Sequence, residues 1–234
     1  MTVVVNHVIL SLTDVVTDNV KEEHDLLSKF MNLEDEKRER IINAALGEFA
    51  QKGYKNASTN EIVNKANISK GLLFHYFNNK KGLFLFLLDY SKDIFVNEFY
   101  EKFNMDETDI IKRFRQISIL KIKLIRKYPD MYDFLLSSMT DDSAEIKYEL
   151  DNVYKNIIDD FYQKLTTNLD TSVIKNGLDI KRVSEIIIWV MQGFANRELE
   201  KLKHNSDKKP EYDIDAAMVD FDEYIELLKN AFYK

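Results

Sequence analysis

Residues that could bind a phosphate backbone are concentrated in one short stretch, residues 66–84, which reads ANISKGLLFHYFNNKKGLF. The stretch holds three lysines, a histidine and a tyrosine, and Gly71 leaves the backbone bare beside them. Ammonium, imidazole and phenol groups donate hydrogen bonds to phosphate oxygens, and a glycine lets another surface approach the backbone closely. The stretch therefore favours contact with a nucleic acid.

The distribution of charge supports this interpretation, although the chain as a whole is acidic, with a net charge of −7 over 234 residues. Residues 52–81 contain six lysines and a single acid, whereas residues 93–234 contain 21 basic and 28 acidic residues. A phosphate backbone responds to the local field rather than to the net charge. A lysine-rich face that meets only solvent remains the alternative on charge alone.

Periodicity and capping signals predict three helices around this stretch. In the first, apolar residues recur at the spacing of one helix face: Ile42, Ala45, Leu46 and Phe49. We expect Gly53 to end that helix, and Ser58 with Glu61 to form the capping box that begins the second. Asn67 suits a left-handed turn, and Ser69 is placed to cap the third helix. A support helix followed by helix, turn and helix is a helix-turn-helix arrangement.

The rest of the chain also carries helical periodicity. A long helix is predicted to begin near Lys80, and its basic first turn opposes the helix dipole, so that a phosphate would compensate for it. Four or five helices are predicted beyond Phe103. Only 2 Pro and 6 Gly occur, too few for the turns of an all-β fold. No apolar run could span a membrane, and the start lacks the basic region of a signal peptide. We predict an all-α, cytoplasmic protein.

Catalytic and metal-binding patterns are missing from the sequence. There is no cysteine, and the four histidines are scattered without an acidic companion at metal-ligand spacing. No nucleophile–base arrangement and no glycine-rich phosphate loop is found. We therefore predict no catalytic residue, no metal site and no cofactor, and a protein that is not an enzyme.

The third predicted helix would carry the readout of DNA. In a helix-turn-helix the N-terminal residues of the second helix reach base edges while flanking groups grip phosphates. We expect Lys70 to reach guanine or phosphate, Leu72 to contact a thymine methyl, and His75 and Tyr76 to donate to phosphates. Two apolar residues four positions apart would hold the helix to its support: Leu73 and Phe77.

Residues 36–84 resemble the DNA-binding domain of the TetR family of bacterial transcriptional regulators. The matching features lie at fixed spacing: Ala45-Leu46, Phe49, Gly53, the Ser58 cap, Ile62-Val63, Ala66, Ser69-Lys70-Gly71, Phe74-His75-Tyr76-Phe77, Lys80 and Leu83. The resemblance implies a small three-helix DNA-binding domain and a larger helical domain that dimerises and binds a small effector.

The DNA contacts of the family are carried over onto the matching positions of this chain. They are Ser58, Thr59, Ser69, Lys70, Gly71, Leu72, His75, Tyr76 and Lys80. The chain departs from the family at Phe74, where a phosphate-binding tyrosine is usual. Phe74 has no hydroxyl, and packing alone would then be its role.

The resemblance also suggests a domain plan: an extension at 1–33, the DNA-binding domain at 34–96 with its helix-turn-helix at about 58–77, and an effector and dimer domain at 97–234. The candidate effector-lining residues are Met131, Tyr132, Phe134, Leu135, Met139, Trp189, Met191 and Phe194. The candidate dimer residues on the last two helices are Ile187, Val190, Phe194, Val219, Tyr224 and Leu227. Ordinary core packing is the alternative for each effector-lining residue.

The first thirty or so residues exceed what the family domain needs. They could form an extra helix in DNVKEEHDLLSKFMNL. They could also be untranslated DNA read as protein, since Met1-Thr2 can be encoded by TTGACA, a promoter −35 box, and Lys21-Glu22-Glu23 by AAGGAGGAA, a ribosome-binding site. Translation would then start near Leu27 or Met31. A peptide from residues 1–20 in the mass spectrum of the native protein would exclude this.

We therefore predict a ligand-responsive repressor that binds a palindromic, double-stranded DNA operator as a homodimer and is released by a small, apolar effector. The competing class is a helix-turn-helix module that binds another protein. Salt separates the two classes, because phosphate contacts make affinity fall steeply as salt rises whereas an apolar protein interface responds little.

Overall fold

The protein is built from helices, as predicted. The computed structural model describes residues 18–204 and 213–234, and these form ten α-helices, one short 3₁₀ turn and no strand. The helices are α1 (Asp18–Met31), α2 (Asp35–Asn56), α3 (Thr59–Ala66), α4 (Lys70–Phe77), α5 (Lys80–Lys102), α6 (Ile110–Lys127), α7 (Pro129–Ser138), α8 (Lys147–Thr166), α9 (Ile180–His204) and α10 (Ile214–Phe232). None of these described helices is long and apolar enough to cross a membrane.

The chain divides into two compact units. One comprises the residues up to Lys102 together with Lys123–Asp159, and the other comprises Phe103–Ile122 and Asp160–Lys234. The division therefore falls within α6 and within α8. The boundary predicted at residues 96–97 lies inside α5, so a single helix joins the two sides of that boundary.

The core of the first unit is formed by the residues that periodicity selected. Ile42, Ala45, Leu46 and Phe49 of α2 are all buried. The buried residues of the next two helices are Ile62, Val63 and Ala66 of α3 and Leu73 and Phe77 of α4. The Phe49 ring meets Phe84 of α5 at 5.1 Å and Phe134 of α7 at 6.2 Å between centroids. Aromatic burial of this kind supplies much of the stabilisation of a small core, and here it ties α2, α5 and α7 together.

The N-terminal extension contributes a helix, α1, to the same core. An extra helix was one of the two alternatives that the sequence left open for this segment. Phe30 of α1 is fully buried, and its ring lies 5.4 Å from Tyr76, 4.8 Å from Phe77 and 5.3 Å from Phe86. A translation start at Met31 would remove this ring. Residues 1–17, where the promoter hypothesis begins, lie outside the described residues.

The second unit has its own core and an internal arginine. Its buried apolar side chains come from α6, α8, α9 and α10, with Ile187, Met191 and Phe221 among them. The guanidinium of Arg113 is buried and donates to the carbonyls of Lys164 and Leu165 at 3.1 Å each. Because the last carbonyls of a helix lack an intrahelical partner, Arg113 completes the end of α8.

Gly53 interrupts α2 where the sequence predicts its end. Its φ of 66° and ψ of 173° belong to a region that is essentially restricted to glycine, and one further turn runs on to Asn56. A Cβ at this position would lie 3.3 Å from Asp141 Oδ2. The glycine therefore lets the chain turn towards α3 while the loop after α7 packs against it.

The two glycines of α2 should respond in opposite ways to alanine. We expect Gly53→Ala to lower the free energy of unfolding by about 1–3 kcal/mol, because the side chain is strained at this backbone conformation. Gly47→Ala should raise it by about 0.5–1 kcal/mol, because a Cβ there meets no atom within 4 Å and the helix gains propensity. Urea denaturation followed by circular dichroism measures both. A stabilised Gly53→Ala variant would contradict the assigned backbone conformation.

Candidate nucleic-acid interface

The helix-turn-helix forms from the predicted caps. Ser58 precedes α3 and its Oγ accepts the Glu61 N–H at 3.4 Å. Asn67 adopts the left-handed conformation with φ 52°, and Ser69 Oγ then accepts the Leu72 N–H at 3.1 Å. Each cap satisfies one of the free N–H groups at a helix start. The starts of α3 and α4 are fixed by local side chains that the sequence already identified.

The two sides of α4 differ in burial. Leu73 and Phe77 are buried in the first core, as predicted. Lys70, Gly71 and His75 are exposed, and Lys70 Nζ lies 5.7 Å from the centre of the Phe74 ring. Phe74 is thus half-buried beneath an ammonium group. The helix offers its first turn and one lysine to solvent.

A buried carboxylate, Glu48 of α2, closes the start of α3. Its Oε1 accepts the Ser58 N–H at 3.0 Å, so Glu48 fills the role that the carboxylate of Glu61 would have in a complete capping box. Lys52 lies 2.7 Å and Lys65 3.4 Å from the same carboxylate. Burial raises the pKa of Glu48, but the hydrogen bonds from Lys52, Ser58 and Lys65 outweigh it, and the pKa is lowered.

Lys80 has internal acceptors in place of the expected phosphate. Its Nζ donates to the carbonyls of Tyr54 at 2.8 Å, Lys55 at 3.2 Å and Ala57 at 3.4 Å, and lies 4.6 Å above the Tyr54 ring. These carbonyls at the end of α2 compensate the basic first turn of α5. A DNA contact by Lys80 would require the ammonium to leave them.

The remaining lysines of the basic segment divide into paired and unpaired ones. Lys81 forms an ion pair with Glu149 at 2.7 Å, and Lys52 and Lys65 share Glu48. Within residues 18–204 and 213–234, Lys55 and Lys70 have no carboxylate within ion-pair distance. The positive charge that is not balanced internally therefore lies at the end of α2 and the start of α4.

Comparison with known proteins gives this arrangement a family. Residues 41–87 match the sequence profile described as "Bacterial regulatory proteins, tetR family", and these residues run from α2 through α4 into α5. Over these residues the chain carries the N-terminal domain of the TetR family. The resemblance stated from the sequence is confirmed.

Three relatives illustrate how far the likeness extends. The HTH-type transcriptional regulator YuxN of Bacillus subtilis is 47% identical over 58 residues, which is 25% of this chain and 20% of that protein. A TetR family transcriptional regulator from Chloroflexus aurantiacus superposes with a TM-score of 0.59 at 21% identity, covering 88% of this chain and 98% of the other. FadR from Bacillus subtilis in complex with stearoyl-CoA gives 0.51 at 17% identity, covering 81% and 96%. The chain thus spans about a fifth of YuxN, and the two structures establish the fold.

The TetR-type contact residues gather on one part of the first unit. All nine lie between Ser58 and Lys80, at the starts of α3, α4 and α5 or on α4. Lys80 is the member whose polar group is directed inward. Their contact with DNA stays a prediction.

Sequence reasoning missed Tyr54, which joins the TetR-type helices to the loop after α7. The Tyr54 N–H donates to Asp141 Oδ2 at 2.7 Å and its hydroxyl donates to Glu145 Oε2 at 2.6 Å. Burial and the neighbouring Glu145 raise the pKa of Tyr54. Burial raises the pKa of Asp141, but hydrogen bonds from Ser143 and Tyr54 lower it overall. No local signal could identify these pairs, because their partners lie about ninety residues apart in the sequence.

The predicted effector-lining residues fall in both units. Met131, Tyr132, Phe134, Leu135 and Met139 lie on α7 or directly after it, whereas Trp189, Met191 and Phe194 lie on α9. Phe134 is part of the first core and Met191 of the second, while Trp189 is 64% exposed. An open groove of about 380 Å³ in the second unit is lined by other residues, including Tyr162, Ile180 and Ile188. The effector site stays a prediction.

The predicted dimer residues also differ in exposure. Ile187 is fully buried in the core of its own unit. Phe194 and Tyr224 are half-buried, with their rings 5.9 Å apart. Val219 and Leu227 of α10 are 63% and 65% exposed. The outward apolar side chains are thus only partly those that the sequence selected.

Lys80 and Lys70 should differ in their effect on stability. We expect Lys80→Met to lower the free energy of unfolding by about 1–3 kcal/mol, because three backbone carbonyls lose a charged donor. Lys70→Met should change it by less than about 0.5 kcal/mol, since Lys70 is exposed and no carboxylate of the described residues pairs with it. Urea titration of both variants measures the difference. Equal stabilities would mean that Lys80 is free for other partners.

Proposed function

We propose that this chain is a TetR-family transcriptional regulator that binds double-stranded operator DNA through α3 and α4. The observation that carries the proposal is Gly71, which occupies the exposed first turn of α4 although a Cβ there would meet no atom within 4 Å. A glycine inside a helix costs about 1 kcal/mol relative to alanine. No contact within the described protein requires this glycine, and its exposed, bare backbone beside Lys70 allows close approach of an external surface.

The groups around Gly71 fit the surface of a DNA groove. Lys70 presents an ammonium group that no carboxylate of the described residues neutralises. Leu72 is half-buried with an apolar end, and His75 is exposed one turn later. A lysine can donate to guanine or phosphate and an aliphatic side chain can contact a thymine methyl. The capped starts of α3 and α4 also direct N–H groups outward, where phosphate oxygens are favoured.

A homodimer is the second part of the proposal. Three large apolar side chains on α9 and α10 are mostly exposed: Trp189, Val219 and Leu227. Gly193, one turn after Trp189, has no atom within 4 Å of a built Cβ and would allow close helix approach. Two copies joined through these helices would present two α4 helices to the two half-sites of a palindrome.

A small apolar effector that releases the DNA is the third part. The FadR structure contains stearoyl-CoA, and we extend that chemistry, a long apolar chain, to this protein. The hydrogen bonds of Tyr54 with Asp141 and Glu145 provide a link from the helices before α3 to the loop after α7. An effector that favours another position of that loop would shift the population of DNA-binding molecules.

The test of DNA binding is a selection from genomic fragments by the purified protein, followed by titration of the recovered duplex against salt. We expect an operator complex whose log affinity falls linearly with log salt, and a Lys70→Met variant that binds about tenfold or more weakly, as for the loss of a base contact. If the selection recovers no fragment, the proposal that the protein is a transcriptional regulator is wrong. A salt-insensitive interaction would favour the protein-binding alternative.

Addition of stearoyl-CoA to the operator complex tests the effector class. Operator binding that does not change when stearoyl-CoA is added would reject a long-chain acyl effector.

Gly71→Ala should separate stability from DNA binding. We expect the free energy of unfolding to rise by about 1 kcal/mol, because alanine is the better helix former. Operator affinity should fall about tenfold or more, because the new methyl group prevents close approach, and a loss of about 1.4 kcal/mol is a factor of ten. Urea denaturation and fluorescence anisotropy with labelled operator measure the two effects. Gly47→Ala is the control that should gain stability and keep its DNA affinity.

A substitution that introduces a charge on the proposed dimer face should dissociate the subunits. We expect Leu227→Glu to shift the protein towards monomer at micromolar concentration and to weaken operator binding, because paired glutamates would be buried without partners. Sedimentation velocity measures the oligomeric state. Leu178→Glu, at an exposed apolar residue outside α9 and α10, is the control. A dimer unchanged by Leu227→Glu would place the interface elsewhere.

A further inference from the structure

Glu48 is an unusual group to find beneath a surface that would bind phosphates. Its carboxylate is fully buried. It accepts the Ser58 N–H and is approached by two ammonium groups, Lys52 from its own helix and Lys65 from α3. A buried charge is tolerated when it is paired and hydrogen-bonded, and Glu48 meets both conditions.

The two lysines of this cluster are partly exposed and yet paired with the buried carboxylate. Their side chains are 42% and 49% exposed, so they could reach solvent or a phosphate if nothing held them. Both ammonium groups are held within 3.4 Å of a carboxylate whose other contact is the N-cap residue of α3. Glu48 therefore withdraws positive charge from the edge of the proposed DNA-binding surface.

Withdrawing these lysines has a consequence for sequence recognition. Contacts to phosphates add affinity for every duplex and carry no direct sequence information, whereas contacts from α4 to base edges discriminate. A protein with fewer free lysines binds all DNA less strongly and depends more on its base contacts. Lys70, at the start of α4, is exposed and has no carboxylate partner among residues 18–204 and 213–234, so it is placed for such contacts.

We propose that Glu48 is a positioning residue that sets the specificity of the site, by fixing the start of α3 through Ser58 and by keeping Lys52 and Lys65 off the phosphate backbone. The proposal rests on the proposed DNA-binding function. Glu48 itself touches no DNA. It acts through the two lysines and through the orientation of α3.

Glu48→Gln tests the proposal with little change in shape. The amide oxygen can still accept the Ser58 N–H, while the side chain no longer neutralises the lysines. We expect the affinity for a random duplex to rise about threefold to tenfold at low salt, with a plot of log affinity against log salt steeper by about 0.9 for each lysine that reaches a phosphate. The ratio of operator to random-duplex affinity should fall about tenfold.

Two further variants distinguish positioning from general charge and from folding. Glu61→Gln makes the same change in net charge at an exposed acid of α3, and should leave the salt slope unchanged. Lys65→Gln in the presence of Glu48 should also leave the salt slope unchanged. Its affinity for a random duplex should stay within about twofold of the parent protein's, since this lysine is already neutralised. This variant retains Lys52 as a partner for Glu48 and keeps the test valid even if Glu48→Gln does not fold.

Each outcome decides the proposal. Weaker binding of Glu48→Gln to both duplexes with an unchanged slope would mean a purely structural role and would overturn it. The same slope change in Glu61→Gln, or a slope shallower by about 0.9 in Lys65→Gln, would also overturn it. A parent protein that binds no duplex would instead overturn the proposed function and this inference together, whereas normal operator binding by the parent confines a failure to Glu48.

Discussion

The end of α2 is the point on which the first unit depends. A helix end leaves carbonyls without partners, and the turn to the next helix leaves N–H groups in the same state. Lys80 donates to the carbonyls, Asp141 accepts the Tyr54 N–H and Glu48 accepts the Ser58 N–H. Three charged side chains from three different parts of the sequence thus complete a junction that glycine at position 53 makes sterically possible.

Most lysines of the basic segment have partners within the protein, and several of these partners lie at the junction. The sequence presents six lysines against one acid and suggests a broad positive surface. In the folded chain four of them are engaged, with Glu48, with Glu149 or with carbonyls. Lysine serves here largely to close helix ends and to balance a buried acid. The positive surface is therefore narrower than the sequence suggests, and it lies at the end of α2 and the start of α4.

Local rules predicted α2 to α5 well because their signals are local. Ser58, Asn67 and Ser69 act on residues within three or four positions, and the apolar spacing of α2 follows from the helix repeat. The role of Glu48, the inward direction of Lys80 and the acceptors of Tyr54 depend on contacts that only the folded chain creates. The predicted effector-lining residues lie in both units for a different reason. Aromatic and methionine residues at helical spacing suit a core and a pocket equally.

Arg113 and the junction at α2 differ in how they respond to acid. The second unit closes α8 with a guanidinium and neutral carbonyls, and arginine keeps its charge in proteins. The first unit uses carboxylates, and the pKa values of Glu48 and Asp141 are lowered. A lowered pKa contributes stability that is present above the unfolded value, about 4 for such groups, and is lost as the pH falls through the folded value. Acid would therefore loosen the first unit while the closure of α8 persists.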